Sequence, residues 1–203
     1  MADRFANEFR VTLVDLYGFG ATPHPPRALS LDDYAEGILE LLKKEGIEDA
    51  VLIGHSFGGR VAMRLAAKSS VASGLVLIDS AGVPPRRGPK YYRKVWTYKI
   101  KRKLGFDVAK AGSRDYAELS GAMKETFVRV VNESSLPDCD QIKLPTLLLW
   151  GSRDKDTPLY MCKKLKARLS GSEAVVIEGA GHFSYLEKPE FSVRVIRAFL
   201  KGL

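Results

Sequence analysis

The chain has little sulfur for cross-links and few imidazoles for metal. Its two cysteines, Cys139 and Cys162, are too few for a disulfide framework, and no Cys/His cluster has zinc spacing. Only 3 histidines occur, His24, His55 and His182, so any chemistry that needs an imidazole must draw on one of these. No apolar run approaches the ~20 residues that cross a bilayer. The opening MADRFANEFR has no long apolar core and is no secretory signal. No internal repeat or low-complexity tract is evident. These absences exclude a disulfide-stapled secreted module, a zinc domain, a helical membrane span and a solenoid. What they leave is a cytoplasmic globular protein of 203 residues, enough for one domain with a sizeable core.

What is present fits that class. Hydrophobic residues make 45% of the chain and charged residues 28%, both ordinary for a globular domain. The net charge of +8 is concentrated in one stretch, RRGPKYYRKVWTYKIKRK, residues 86–103. Lysine and arginine alternate there with Tyr91, Tyr92, Trp96 and Tyr98. Such a stretch can bind nucleic acid or a membrane surface. It can equally be an amphipathic helix with aromatics inward and charges in water. Charge runs usually mark solvated faces, and no nucleic-acid recognition motif accompanies this one, so neither partner is expected.

Strand and helix patterns alternate along the chain. RVTLVDL (10–16), DAVLIG (49–54), GLVLIDS (74–80), PTLLLWG (145–151) and AVVIEG (174–179) read as strands. Ser30 opens a helix with Asp33 as its capping-box acid, and Leu31, Tyr34, Ile38, Leu41 and Leu42 line one face. LYMCKKLKARL and PEFSVRVIRAFLKGL read as later helices, the second with Pro189 pre-set for its first turn. Near-continuous apolar strands alternating with helices predict a three-layer α/β/α fold with a mostly parallel sheet. Chemistry in such sheets gathers at the carboxyl ends of the strands.

VLIGHSFGGRVAM, residues 51–63, is the most informative stretch. An apolar strand gives way to helical spacing at Gly59, so Ser56 stands at the hinge. Gly54-x-Ser56-x-Gly58 matches a nucleophile elbow, and a Cβ at either glycine is expected to clash in so tight a bend. Asp154 and His182 follow later strands, giving the chain order Ser, Asp, His. Asp156 and Asp79 are rival acids at this level, although Asp79 suits a turn brace better. Among the histidines, His182 in its Gly-Ala-Gly loop suits an exposed reactive ring. His24 lies in a Pro-rich turn, and His55, as neighbour of Ser56, is expected to point away from it.

These motifs resemble the α/β-hydrolase family. DLYGFGAT is similar to the turn after that family's fourth strand, GHSFGG to its nucleophile elbow, and WGSRDKDTP to the stretch that carries its acid. GAGHFSYLEKPEFSVRVIRAFL is similar to its histidine loop and last helix. The resemblance implies core parts at 1–83 and 137–203, with a helical lid or cap insert at 84–136. It implies Ser56 as nucleophile, His182 as base, Asp154 as the acid that orients His182, and the backbone N–H of Phe57 as an oxyanion donor. It implies a small ester-type acyl substrate and no metal or organic cofactor. Only about nine residues precede RVTLVDL, too few for the family's first three strands at ~5 residues each. The third of those strands leads into a His-Gly loop that carries the second oxyanion donor. The alternative to an enzyme is therefore a binding protein of the same fold with an incomplete oxyanion hole. In the family the third strand lies between the two that RVTLVDL and DAVLIG resemble. Without it, those two are expected to pair directly in a five-stranded sheet, with an exposed edge that promotes homodimers.

Overall fold

The computed structural model describes residues 1–86, 88, 93, 96, 97, 119 and 121–203. Among these, one parallel sheet runs in the order β1-β2-β3-β4, with β1 Ala50–His55, β2 Ala72–Ile78, β3 Thr146–Gly151 and β4 Ser172–Ile177. Helix α1 (Leu31–Lys44) precedes β1, and α2 (Phe57–Lys68) joins β1 to β2. Helices α3 (Gly121–Asn132) and α4 (Leu136–Gln141) lead to β3, and α5 (Leu159–Arg168) leads to β4. A short turn of helix, α6 (Ser184–Glu187), and then α7 (Pro189–Leu200) follow. No described helix is long and apolar enough to cross a membrane.

β2 and β3 are apolar along most of their length because both sheet faces are covered there. Alternate side chains of a strand point to opposite faces. Leu75, Leu77, Leu148 and Trp150 accordingly enter one core, against Met63 and Ala66 of α2 and Cys162 and Leu165 of α5. Val76, Ile78, Leu147 and Leu149 enter the other, against Phe5 and against Val193 and Ile196 of α7. Each fully buried leucine here is worth about 2–5 kcal/mol against truncation to alanine. Trp150 is buried whole, and its indole N–H donates to the Thr157 carbonyl at 2.7 Å, so the ring carries no unpaired polar atom.

The capping box of α1 forms as the spacing predicts. Ser30 Oγ accepts from the Asp33 N–H at 3.2 Å, and Asp33 Oδ2 accepts from the Ser30 N–H at 2.7 Å. Arg64 of α2 then ties α1 to the chain around α3 and α4, through Asp32 at 2.7 Å, Asp138 at 3.0 Å and Glu133 at 2.5 Å.

One strand expectation is overturned. Residues 10–16 form no strand, and the sheet of described residues has four strands, not five. β-propensity states only that a side chain fits a pleated, half-buried surface. This segment lacks that surface, and Leu13 is 80% exposed. The chain around it is nonetheless packed: Phe9 shares a cluster with Val51 of β1, and Leu16 shares one with Phe57 of α2. Asp15 closes the turn beyond, accepting from the Ala21 N–H at 2.9 Å, while Gly20 with φ +53° sits where any Cβ would strike the Asp15 carboxylate. β1 is left as one edge of the sheet, opposite β4, with Ile53 44% exposed. Most of the basic stretch at 86–103 and of the lid expected at 84–136 lies outside the described residues; Trp96, which is described, is exposed.

Candidate active site

The carboxyl ends of all four strands converge on one small region. β1 ends in the sharp turn at Ser56, whose φ of 50° and ψ of −114° are left-handed and strained for a residue with a side chain. Such a conformation costs about 1–3 kcal/mol and persists only where the surroundings enforce it. Here the Ser56 N–H donates to the Ile78 carbonyl at 3.1 Å, and the Ser56 carbonyl accepts from Ala81 at 3.0 Å and Gly59 at 3.1 Å. The glycine expectation is half right. A Cβ on Gly54 would lie 2.6 Å from the Gly58 carbonyl oxygen, so no side chain fits. A Cβ on Gly58 would meet nothing within 4 Å; the second tight position is Gly59, where it would run into the Ser80 side chain. The reason is that the helix backbone crosses close to Ser80 one residue later than the motif suggests.

The side chains of Ser56, His182 and Asp154 form one hydrogen-bonded run. His182 Nε2 is 3.0 Å from Ser56 Oγ, and His182 Nδ1 is 2.9 Å from Asp154 Oδ2. Burial alone would raise the Asp154 carboxyl, but hydrogen bonds from His182 and Thr157 outweigh it and hold the group below its ordinary value. An ionised carboxylate only accepts, so His182 Nδ1 carries the proton and Nε2 is free to accept from the Ser56 hydroxyl. The bond to Asp154 also holds His182 above the ordinary imidazole range. Asp154 is itself fixed by the loop after β3, accepting at Oδ1 from the N–H groups of Asp156 and Thr157 at 2.8 and 2.9 Å, and at Oδ2 from Thr157 Oγ1 at 2.6 Å.

Of the three carboxylates open at the level of sequence, Asp154 is the one bonded to His182. Asp156 is exposed and contributes its backbone N–H. Asp79 is fully buried at the end of β2, with φ 42°. Its Oδ1 accepts from the Gly151 N–H at 2.7 Å, and its Oδ2 from the Ser184 N–H at 3.1 Å and hydroxyl at 2.5 Å. It therefore braces the histidine loop against the end of β3. Burial pushes its carboxyl up to about 6. His24 is exposed in its turn. Phe57 occupies the first position of α2, where a backbone N–H has no intrahelical acceptor. Its ring stacks on Phe19 at 5.7 Å and meets Tyr34 edge-on at 5.1 Å.

His55 was not expected at the site. Its Nε2 lies 2.8 Å from the His182 carbonyl oxygen. Thr157 and Ser184 were also missed, and the Ser184 contact with Asp79 spans 105 residues, beyond any local signal. Asp154, Asp156 and His182 are the acid and imidazole groups close enough to suggest a cation among the described residues. Both Asp154 oxygens are already committed to four donors, and His182 Nδ1 bears a proton, so the donor set does not fit a metal.

A parallel sheet with helices on both faces and a strand–serine–helix turn at its carboxyl end defines the α/β-hydrolase class of fold. The chain matches the model of the "Alpha/beta hydrolase family" over residues 1–195, and it belongs to that family. It is 28% identical over 210 residues to the AB hydrolase superfamily protein YisY of Bacillus subtilis, covering 90% of this chain and 78% of that one. It is 25% identical over 222 residues to Esterase YbfF of Escherichia coli, covering 98% and 86% respectively. A hydrolase from Pseudomonas aeruginosa shares the fold, with a TM-score of 0.76 at 23% identity, covering 98% of this chain and 82% of that one.

Proposed function

We propose that the chain is a serine hydrolase that cleaves a small ester-type acyl substrate through an acyl-enzyme. The observation that carries the reading is the unbroken run from Asp154 through His182 to a serine held on a strained turn. The Escherichia coli relative named an esterase is in keeping with it. The Ser56 hydroxyl is too weak an acid to attack alone. As Oγ bonds to the acyl carbon, its proton passes to His182 Nε2, and the carbonyl electron pair moves onto oxygen. The Phe57 N–H donates to that oxyanion, and Asp154 stabilises the imidazolium. Collapse breaks the carbon–alkoxide bond, and His182 returns the proton to the departing alcohol. Water then repeats the sequence with His182 as base, releasing the acid and restoring Ser56.

The proposal includes three further elements. Residues 84–136 act as a cover over the site, supported by Val130 of α3 packing in the same cluster as Phe57. The protein works in the cytoplasm, consistent with two free, buried cysteines. A second copy pairs with the free edge of β1. Hydrolysis of p-nitrophenyl butyrate by wild type and Ser56→Ala tests the chemistry. Turnover confined to wild type is expected. Equal rates would end the reading, and tight ester binding with no turnover would favour the binding-protein alternative.

A further inference from the structure

His55 closes β1 one residue before Ser56, yet it touches the histidine loop and not the nucleophile. Side chains alternate along the strand, so Val51, Ile53 and His55 share one face. On that face the His55 ring lies against three rings of the histidine loop, with centroids 4.9 Å from His182, 5.2 Å from Phe183 and 5.1 Å from Tyr185. Its Nε2 is 2.8 Å from the carbonyl oxygen of His182 itself. A carbonyl only accepts, so Nε2 is the protonated nitrogen. Burial holds His55 below the ordinary imidazole range, which keeps it in the neutral form with a single N–H, the one directed at that carbonyl.

We propose that His55 is a positioning residue for His182, its Nε2–H fixing the backbone that presents the His182 ring to Ser56. The inference rests on the reading of Ser56 and His182 as nucleophile and base. The His182 ring bonds from both nitrogens, at 2.9 and 3.0 Å, so a small rotation lengthens one bond or the other. The loop is tied on either side of it, by Glu187 to the Gly181 N–H at 3.0 Å and by Asp79 to the Ser184 N–H at 3.1 Å. Among the described residues, the tie at the His182 backbone itself comes from His55. A shift of about 1 Å at a reacting group can cost on the order of 10²-fold in rate.

Three variants separate positioning from packing. His55→Met keeps apolar bulk without a donor, His55→Phe keeps the ring stacking without a donor, and the amide N–H of His55→Gln can still reach the carbonyl. With all variants folded by thermal melts, kcat on p-nitrophenyl butyrate is expected to fall roughly 10- to 10²-fold in the Met and Phe variants, with KM unchanged and most of the loss recovered in Gln. The Nδ1 proton resonance of His182 should stay sharp in wild type and Gln and broaden in Met and Phe. A wild-type kcat and resonance in Met and Phe, or a Gln variant no better than they are, would overturn the proposal. Ser56→Ala run alongside separates the two claims. If wild type turns over no faster than Ser56→Ala, the hydrolase reading fails, and the resonance comparison alone decides the role of His55.

Discussion

Asp79 and Asp154 follow successive strands, yet their surroundings push them in opposite directions. Asp154 is held ionised by three N–H and O–H donors and the His182 ring, so Asp154→Asn should lower kcat by about 10⁴-fold by favouring the wrong His182 tautomer. The circular dichroism spectrum should not change. Because His182 is held above the ordinary imidazole range, it gains its proton on acidification earlier than a free histidine would. The acid limb of kcat/KM should therefore lie above about 6.5, and a limb below that value would contradict the Asp154 contact. Asp79 works with the reverse sign for stability. Its folded pKa of about 6 exceeds the ordinary 3.8, so the native state binds the extra proton between those values, and its contribution is lost as pH rises through about 6. The stability advantage of wild type over Asp79→Asn in urea unfolding should be largest near pH 4 and shrink towards pH 6.

At the scale of elements, the turn at Ser56 is a strand end and a helix start pressed together, and its glycines are not equivalent. Gly54→Ala meets backbone at 2.6 Å and should destabilise strongly and abolish labelling of Ser56. Gly58→Ala meets open space on a helix and should stabilise by up to about 1 kcal/mol in thermal melts. A sequence motif records which residues recur near a bend; it does not record which of them is crowded, and Gly59 was overlooked for that reason. The same limit explains residues 10–16. β2 and β3 could be read from their apolar runs because both faces of each are buried in the fold, and the Ser30–Asp33 cap is local. RVTLVDL has the same local character, but a strand requires a partner ladder, and pairing is a tertiary property.

At the scale of the molecule, the free edge of β1 carries the expectation of self-association. Edge strands with unpaired backbone groups template pairing with other chains, and a lysine there opposes it. Ile53→Lys should shift sedimentation towards monomer without changing kcat; a wild type that sediments as monomer at all concentrations would remove the dimer. The order Ser56, Asp154, His182 was legible because parallel topology brings successive strand ends together. The second rank was not. His55, Thr157 and Ser184 act through contacts at sequence separations of 127, 3 and 105 residues, and only the shortest could have been suspected locally.

The central claim is that Ser56 is a nucleophile activated by His182. Intact-protein mass spectrometry after exposure to a fluorophosphonate tests it most directly. Wild type should gain one phosphonyl adduct, mapped by proteolysis to the peptide containing Ser56, with Ser56→Ala unlabelled and His182→Ala labelled far more slowly. An unmodified wild type, or an adduct on any other residue with Ser56 untouched, would contradict it.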